Sequence, residues 1–189
     1  MTALEVFEQI DNRQIQALMF HTQMADYFDF LGLNGFKRMH EYRFLKECAE
    51  NRGVHRYVLN HINKLLKDNG VANPKAIPVN WYNYSRLDVD ASTRKNSVRD
   101  AFIKWHEWET QTKSFLEKKF KELTENGNIA CANKVNELIC NSDQELKIIT
   151  RKVLKYKSID WDMTYIEMEQ DELHEHYKNK TKEIGVNIC

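Results

Sequence analysis

The sequence predicts an all-α protein: a bundle of four long helices in two antiparallel hairpins joined by a long crossover, with a fifth helix at the C-terminal end. Three observations predict it. Apolar residues recur at steps of three and four over long stretches, most clearly between Val98 and Lys157, as one face of a helix requires. Gly and Pro number only 6 and 2 in 189 residues, too few for the turns of a many-stranded fold. Two short turn signals, LGLNG at 31–35 and TENGN at 124–128, each separate two such stretches, and a short Gly-containing turn folds long amphipathic helices antiparallel.

Thr2 is placed to cap a first helix over 3–30, whose apolar positions Leu4, Phe7, Ile10, Leu18, Met24, Phe28 and Leu31 are interrupted by Gln14 and His21. A second helix is expected over 36–68, with Phe36, His40, Phe44, Glu47, Asn51, Val54, Val58, His61 and Leu65 inward. Gly53 within it costs about 1 kcal/mol against alanine and points to close packing or a local distortion. Residues 69–96 hold both prolines and no sustained periodicity. They are the expected crossover, since twenty-odd extended residues can travel the roughly 42 Å of a 28-residue helix, with Trp81, Tyr82 and Tyr84 packing it onto the bundle. The third helix, over 97–124, carries Ala101, Trp105, Trp108, Thr112, Phe115, Lys119 and Leu123 on one face. The fourth, over 129–157, carries Ala132, Val135, Ile139, Ser142, Leu146, Ile149 and Val153. A fifth helix over 159–183 is read with Trp161, Tyr165, Met168, Glu172 and His176 on one side. The length suits one domain over 1–189.

Composition narrows the function. Lys plus Arg equals Asp plus Glu at 28 each, so nucleic acid is not an expected partner; only Lys113, Lys118, Lys119 and Lys121 make a short basic face. The four cysteines are scattered without a CxxC pair, and Cys131 and Cys140 read as small buried residues, which suits reduced thiols in a cytoplasm. The N-terminus lacks a basic and apolar leader and no apolar run reaches bilayer length, so neither a signal peptide nor a membrane span is expected. No Gly-rich phosphate loop, GxSxG or zinc-finger spacing occurs.

The acids on the inner faces are the candidates for chemistry. Bundles that bind a metal pair place a Glu on each of two helices and a Glu-x-x-His on each of the other two, because such cations need several oxygen and nitrogen donors around one cavity. Here Glu47 and Glu50 form a Glu-x-x-Glu on the second helix, Glu109 lies on the third, and Glu145, with Asp143 nearby, lies on the fourth. Glu109 and Glu145 fall at comparable heights. The first helix offers Gln14 and, further on, His21, and no core helix holds a Glu-x-x-His. The same acids would serve equally in a buried ion network with Arg43, Lys152 or His21 as partner.

WHEWETQTKSFLEKKFKEL at 105–123, followed about twenty residues later by DQELK at 143–147, resembles the third and fourth helices of prokaryotic ferritins. FDFLGLNGFKRMHEYRFLKECAENRG at 28–53 is similar to the first loop and following helix of ferritins and bacterioferritins. The resemblance covers roughly residues 10–155. It implies a ferritin-like four-helix bundle, a centre that oxidises ferrous iron with oxygen or peroxide, and assembly into a homo-oligomer; the acids on three helices at matching levels make a pair of iron or manganese ions the expected cofactor. Carried over, Glu109 or Glu107 matches the third-helix ligand, and Asp143, Gln144 and Glu145 match the acidic stretch of the fourth. Glu47 and Glu50 match the second-helix positions with Glu where the family has His, and Gln14 falls where the family has a bridging Glu. The expected metal set is therefore Glu47, Glu50, Glu109, Glu145 and Gln14. The alternative is a bundle of the same fold that has lost its centre and serves as a structural or interaction subunit.

Overall fold

The computed structural model describes residues 2–68 and 93–183, the side chains of 65–67 and 181–183 excepted. Thr2 caps α1 (Ala3–Phe30) with a reciprocal box: its hydroxyl accepts from the Glu5 N–H, and the Thr2 N–H donates to the Glu5 carboxylate. Gly32, at φ +73°, lets the chain leave α1, and the Leu33 N–H turns back to the Phe28 carbonyl at 2.8 Å. α2 (Asn34–Tyr57) follows and continues through a π turn (Val58–Ile62) into α3 (Asn63–Asp68). α4 (Arg94–Glu125) begins three residues ahead of the expected 97, because the Thr93 hydroxyl accepts from the Asn96 N–H and caps it there. Gly127, at φ +72°, closes the second short turn, with the Asn128 N–H on the Leu123 carbonyl, and α5 (Ile129–Ser158) and α6 (Met163–Glu183) complete the chain.

Side-chain contacts set the directions. Phe28 meets Phe36, His21 meets His40 and Phe7 meets Tyr57, so α1 and α2 are antiparallel. Phe102 meets Tyr156, His106 meets Thr150 and Lys113 meets Asp143, so α4 and α5 are antiparallel too. Phe36 against Phe102 and His40 against Trp105 run α2 parallel to α4. The apolar core falls into two clusters. One, at the end holding Phe7, Ile10, Val54, Leu123 and Val135, is separate from the other, at the end holding Met24, Phe28, Phe36, Phe102 and Tyr156. Between them lies a polar waist of Gln14, His21, His40, Arg43, Glu109 and Ser142, all buried.

Several local expectations change. The π turn adds a residue to one turn of the second rod, so its inward face passes from Val58 to Ile62, and His61, expected inward, is exposed. A methyl group at Gly53 would meet nothing within 4 Å, so close packing is not the reason for that glycine; the distortion sits further along, at 58–62. On α6 the packed residues are Ile166, Leu173 and Tyr177, whereas Glu172 and His176 are exposed and Met168 is 67% exposed. Trp161 is buried, but it sits in a left-handed turn ahead of α6 and so does not set the phase of the helix. Trp108 is half-buried under Phe20, and Cys140 is exposed while Cys131 is buried. The crossover is outside the described residues up to position 92, as are Trp81, Tyr82 and Tyr84. Among the described residues no helix is long and apolar enough to cross a membrane.

α6 lies along α2 in the same direction, with Gln170 near Gly35 and Tyr177 near Tyr42. Gly35 donates its N–H to the Gln170 side-chain oxygen at 2.8 Å, and a Cβ there would come within 1.8 Å of the Gln170 carbonyl oxygen. Backbone cannot yield as a flexible side chain does, so Gly35→Ala pushes α6 off α2. The expected loss is roughly 1–3 kcal/mol, measured by denaturant unfolding, with the Tyr177 environment altered; an unchanged midpoint contradicts the packing.

Candidate metal centre

The waist contains a cavity of about 40 Å³ lined from all four bundle rods, room for about three water-sized occupants. α1 contributes Arg13 and Gln14, α2 contributes Arg43, Lys46, Glu47 and Glu50, α4 contributes Glu109 and Thr112, and α5 contributes Asn141, Ser142 and Glu145. Glu47 and Glu50 share a face of α2 because they are three apart, and Arg43 precedes Glu47 by four. Glu109 is 5% exposed; its Oε1 accepts from Trp105 Nε1, one turn earlier on the same helix, at 3.0 Å.

Arg43 is the resident cation. It is 4% exposed, makes an ion pair with Glu145, lies 4.0 Å from Glu109, and stacks 4.6 Å above the Trp105 ring. Lys46 reaches the other Glu145 oxygen at 2.6 Å. Burial pushes the Glu145 carboxyl up, but Arg43 and Lys46 together outweigh it and hold Glu145 below the usual carboxylate range. Glu109 comes out raised, burial exceeding the help of Arg43 and Trp105. Glu50 is raised by burial despite the hydrogen bond from Asn141 at 2.8 Å. Glu47 is pushed furthest, up to about 8, first by burial and then by Glu50, Glu109 and Glu145. Arg13, in the same wall, donates to Thr112 Oγ1 at 2.8 Å and lies over Trp108 at 3.6 Å, and its charge favours the ionised form of Glu109.

Two neutral oxygens in the cavity wall have no protein hydrogen-bond partner. They are Gln14 Oε1 and Ser142 Oγ, on residues each 7% exposed, from opposite hairpins. Leaving such groups unpaired typically costs about 1–3 kcal/mol each, so the wall is built to meet something polar. Elsewhere in the waist, outside the cavity lining, His21 and His40 face each other Nδ1 to Nδ1 at 3.0 Å. Burial, reinforced by Arg43, holds both well below the imidazole range. His40 Nε2 is unpartnered, and across the Nδ1–Nδ1 contact one ring donates and the other accepts.

The cavity thus gathers Gln14, Glu47, Glu50, Glu109 and Glu145 in its wall. The neighbouring candidates do not join them. Glu107 is exposed beside Lys104, Asp143 is engaged by Lys113 and Lys147, and Lys152 pairs with Glu169 on α6. Asp11, a fully buried acid that the sequence does not single out, is met by His55 and Asn51. Sequence reasoning also missed Ser142 as a donor and Lys46 as a partner; Arg43 appeared only as one of three partners for the acids. Among the described residues no three His, Cys, Asp or Glu side chains converge tightly enough to hold a metal as they stand. As chemistry, the donors are all oxygen: carboxylates, an unpaired amide oxygen and an unpaired hydroxyl. That set fits a hard divalent cation such as manganese(II) or iron(II), whereas zinc or copper would find no nitrogen donor in the cavity.

No protein-family model matches the sequence, and no curated protein matches it. Solved structures do. An open-pore ferritin from the hyperthermophilic archaeon Archaeoglobus fulgidus superposes with a TM-score of 0.67 at 17% identity, over 91% of this chain and 95% of that one. A closed form engineered from the Archaeoglobus fulgidus ferritin gives 0.67 at 17% identity, over 92% and 96%. A humanized archaeal ferritin gives 0.72 at 15% identity, over 92% and 97%. The fold is therefore ferritin-like: an all-α four-helix bundle with an added C-terminal helix.

The Glu47 shift has a consequence for stability. An acid whose folded value, about 8, lies above its unfolded value near 4.5 binds its proton more tightly when folded. Its contribution is complete below the unfolded value and is lost as pH rises through the folded one. In the presence of chelator, unfolding free energy should fall between about pH 5 and 8, and Glu47→Gln should remove roughly 2–4 kcal/mol of that fall. Urea unfolding at a series of pH values measures it; parallel profiles for the two proteins count against a raised Glu47.

Proposed function

We propose that this ferritin-like chain takes up a hard divalent metal, ferrous iron or manganese(II), in the cavity at its waist. For iron, the reading extends to oxidation and storage, with the metal as cargo. The observation that carries it is the pairing of an acid excess with unpaired neutral oxygens. Glu47, Glu50, Glu109 and Glu145 line one cavity with Gln14 Oε1 and Ser142 Oγ, neither of which has a protein partner. A network built only to neutralise its own acids would leave neither the surplus carboxylates nor the orphaned oxygens, since both are costly in the interior. The residues' own contribution is to bind and orient. Trp105 fixes one Glu109 oxygen, Asn141 fixes one Glu50 oxygen, and the α1 side of the wall supplies a neutral amide.

Homo-oligomer formation and a cytoplasmic location belong to the same reading. Leu59, Leu154 and Met168 present large apolar side chains to solvent on three different elements, and the archaeal neighbour is described as an open-pore ferritin.

The test is binding of Mn²⁺ and, without oxygen, of Fe²⁺ to protein stripped with chelator, followed by calorimetry, with light scattering for assembly. Native protein should bind, and Glu47→Gln and Glu109→Gln should weaken binding by about 10–100-fold with helix content retained. Admitting oxygen to the iron-loaded protein should oxidise the iron faster than in buffer alone. Absence of binding to the native chain at millimolar metal would sink the proposal and return the fold to a structural role.

A further inference from the structure

We infer that Arg43 takes the place of one of the two cations of a paired-metal bundle, so that the waist is a one-metal centre with a built-in guanidinium. The inference rests on the metal-binding reading above. Geometry comes first: the guanidinium is buried, makes an ion pair with Glu145 from α5, lies 4.0 Å from Glu109 of α4, and is held over Trp105. It therefore occupies the ground between two acids that a second metal would have to share. Lys46 closes the remaining Glu145 oxygen from the same helix. Glu145 is thus committed to side-chain cations, and the donors left for metal are Glu47, Glu50, Glu109, Gln14 and Ser142.

Charge gives the same count. The four carboxylates face three cations, Arg43, Lys46 and Arg13, the last lining the cavity and acting on Glu109, so a single divalent cation already more than balances the one negative charge left over. A second divalent ion would leave an uncompensated positive excess in a buried site, which is costly by the same desolvation argument that forbids an isolated acid. Arginine suits the role because its guanidinium stays protonated and its planar fork can address two carboxylates at once.

The experiment uses the full chain, stripped with chelator and titrated with Mn²⁺, read by calorimetric stoichiometry and by electron paramagnetic resonance. The latter distinguishes an isolated ion from a spin-coupled pair. The native protein should bind a single Mn²⁺ per chain with the spectrum of an isolated ion, and Arg43→Lys, which keeps the charge, should do the same. Arg43→Gln frees Glu145 and should admit a second Mn²⁺ with a coupled spectrum. A coupled pair in the native protein overturns the inference, and so does an Arg43→Gln protein that still binds one ion with unchanged affinity. Should Arg43→Gln fail to fold, the native spectrum alone decides between one ion and two. No Mn²⁺ in the native protein is a separate failure: it defeats the metal-binding reading and, with it, this inference.

Discussion

Carboxylates in the middle of a helical bundle need positive charge beside them, and the contact of Arg43 with Glu145 and Glu109 is where this chain meets that need. Desolvating an unpaired carboxylate costs several kcal/mol, on the order of a large share of a domain's whole stability. The bundle leaves acids such as Glu107, Glu117 and Glu125 facing solvent but turns Glu47, Glu50, Glu109 and Glu145 toward one cavity. It collects them at one height and supplies Arg43 and Lys46 from the second rod to hold Glu145. Glu47, which lacks such a partner of its own, is left with a carboxyl that keeps its proton to about pH 8.

The rest of the fold makes that arrangement tolerable. Two apolar clusters, one on each side of the waist, pin the rods by aromatic and aliphatic packing. The cavity walls therefore do not collapse onto the acids when the site holds no partner. Trp105 belongs to both worlds: its ring is fully buried among Phe102 and His40, while its N–H fixes Glu109 and its face receives Arg43. The added helix α6 packs along α2, where Tyr177 lies near the Arg43 and Lys46 end of the site. Compared with the archaeal ferritins it superposes on, the chain keeps the architecture at 15–17% identity, so the fold is carried by the spacing of apolar residues far more than by their identity.

The helices were legible because their signals are local. Thr2 with Glu5, Gly32 after Phe30 and Gly127 before Ile129 mark ends by rules that need no tertiary knowledge. The convergence of Glu47, Glu50, Glu109, Glu145 and Gln14 on one cavity could be anticipated from helical phase and hairpin register. What could not be read was the sign of the environment. The sequence offers Arg43, Lys152 and His21 alike as partners for the acids, and only the Trp105 face on a rod some sixty residues away and the contact with Glu145 decide for Arg43. The π turn was equally hidden, since VLNHI looks like any α-helical run, and it rotates His61 out of the seam. The buried face of α6 differs from the expected one because Trp161 belongs to the left-handed bend before the helix and does not share its phase. In each case the missing information was long-range packing or a single irregular turn, which side-chain periodicity does not encode.

The most direct measurement is a double-mutant cycle between Arg43 and Glu145 in metal-free protein, using Arg43→Met, Glu145→Gln and the pair, with unfolding free energies at neutral pH. If the buried ion pair organises the waist, the two changes are strongly non-additive, with a coupling of roughly 1–3 kcal/mol and the double variant more stable than Arg43→Met alone. Additive effects, with a coupling indistinguishable from zero, would contradict the account, since Arg43 would then be no more to Glu145 than a neighbour at the same height.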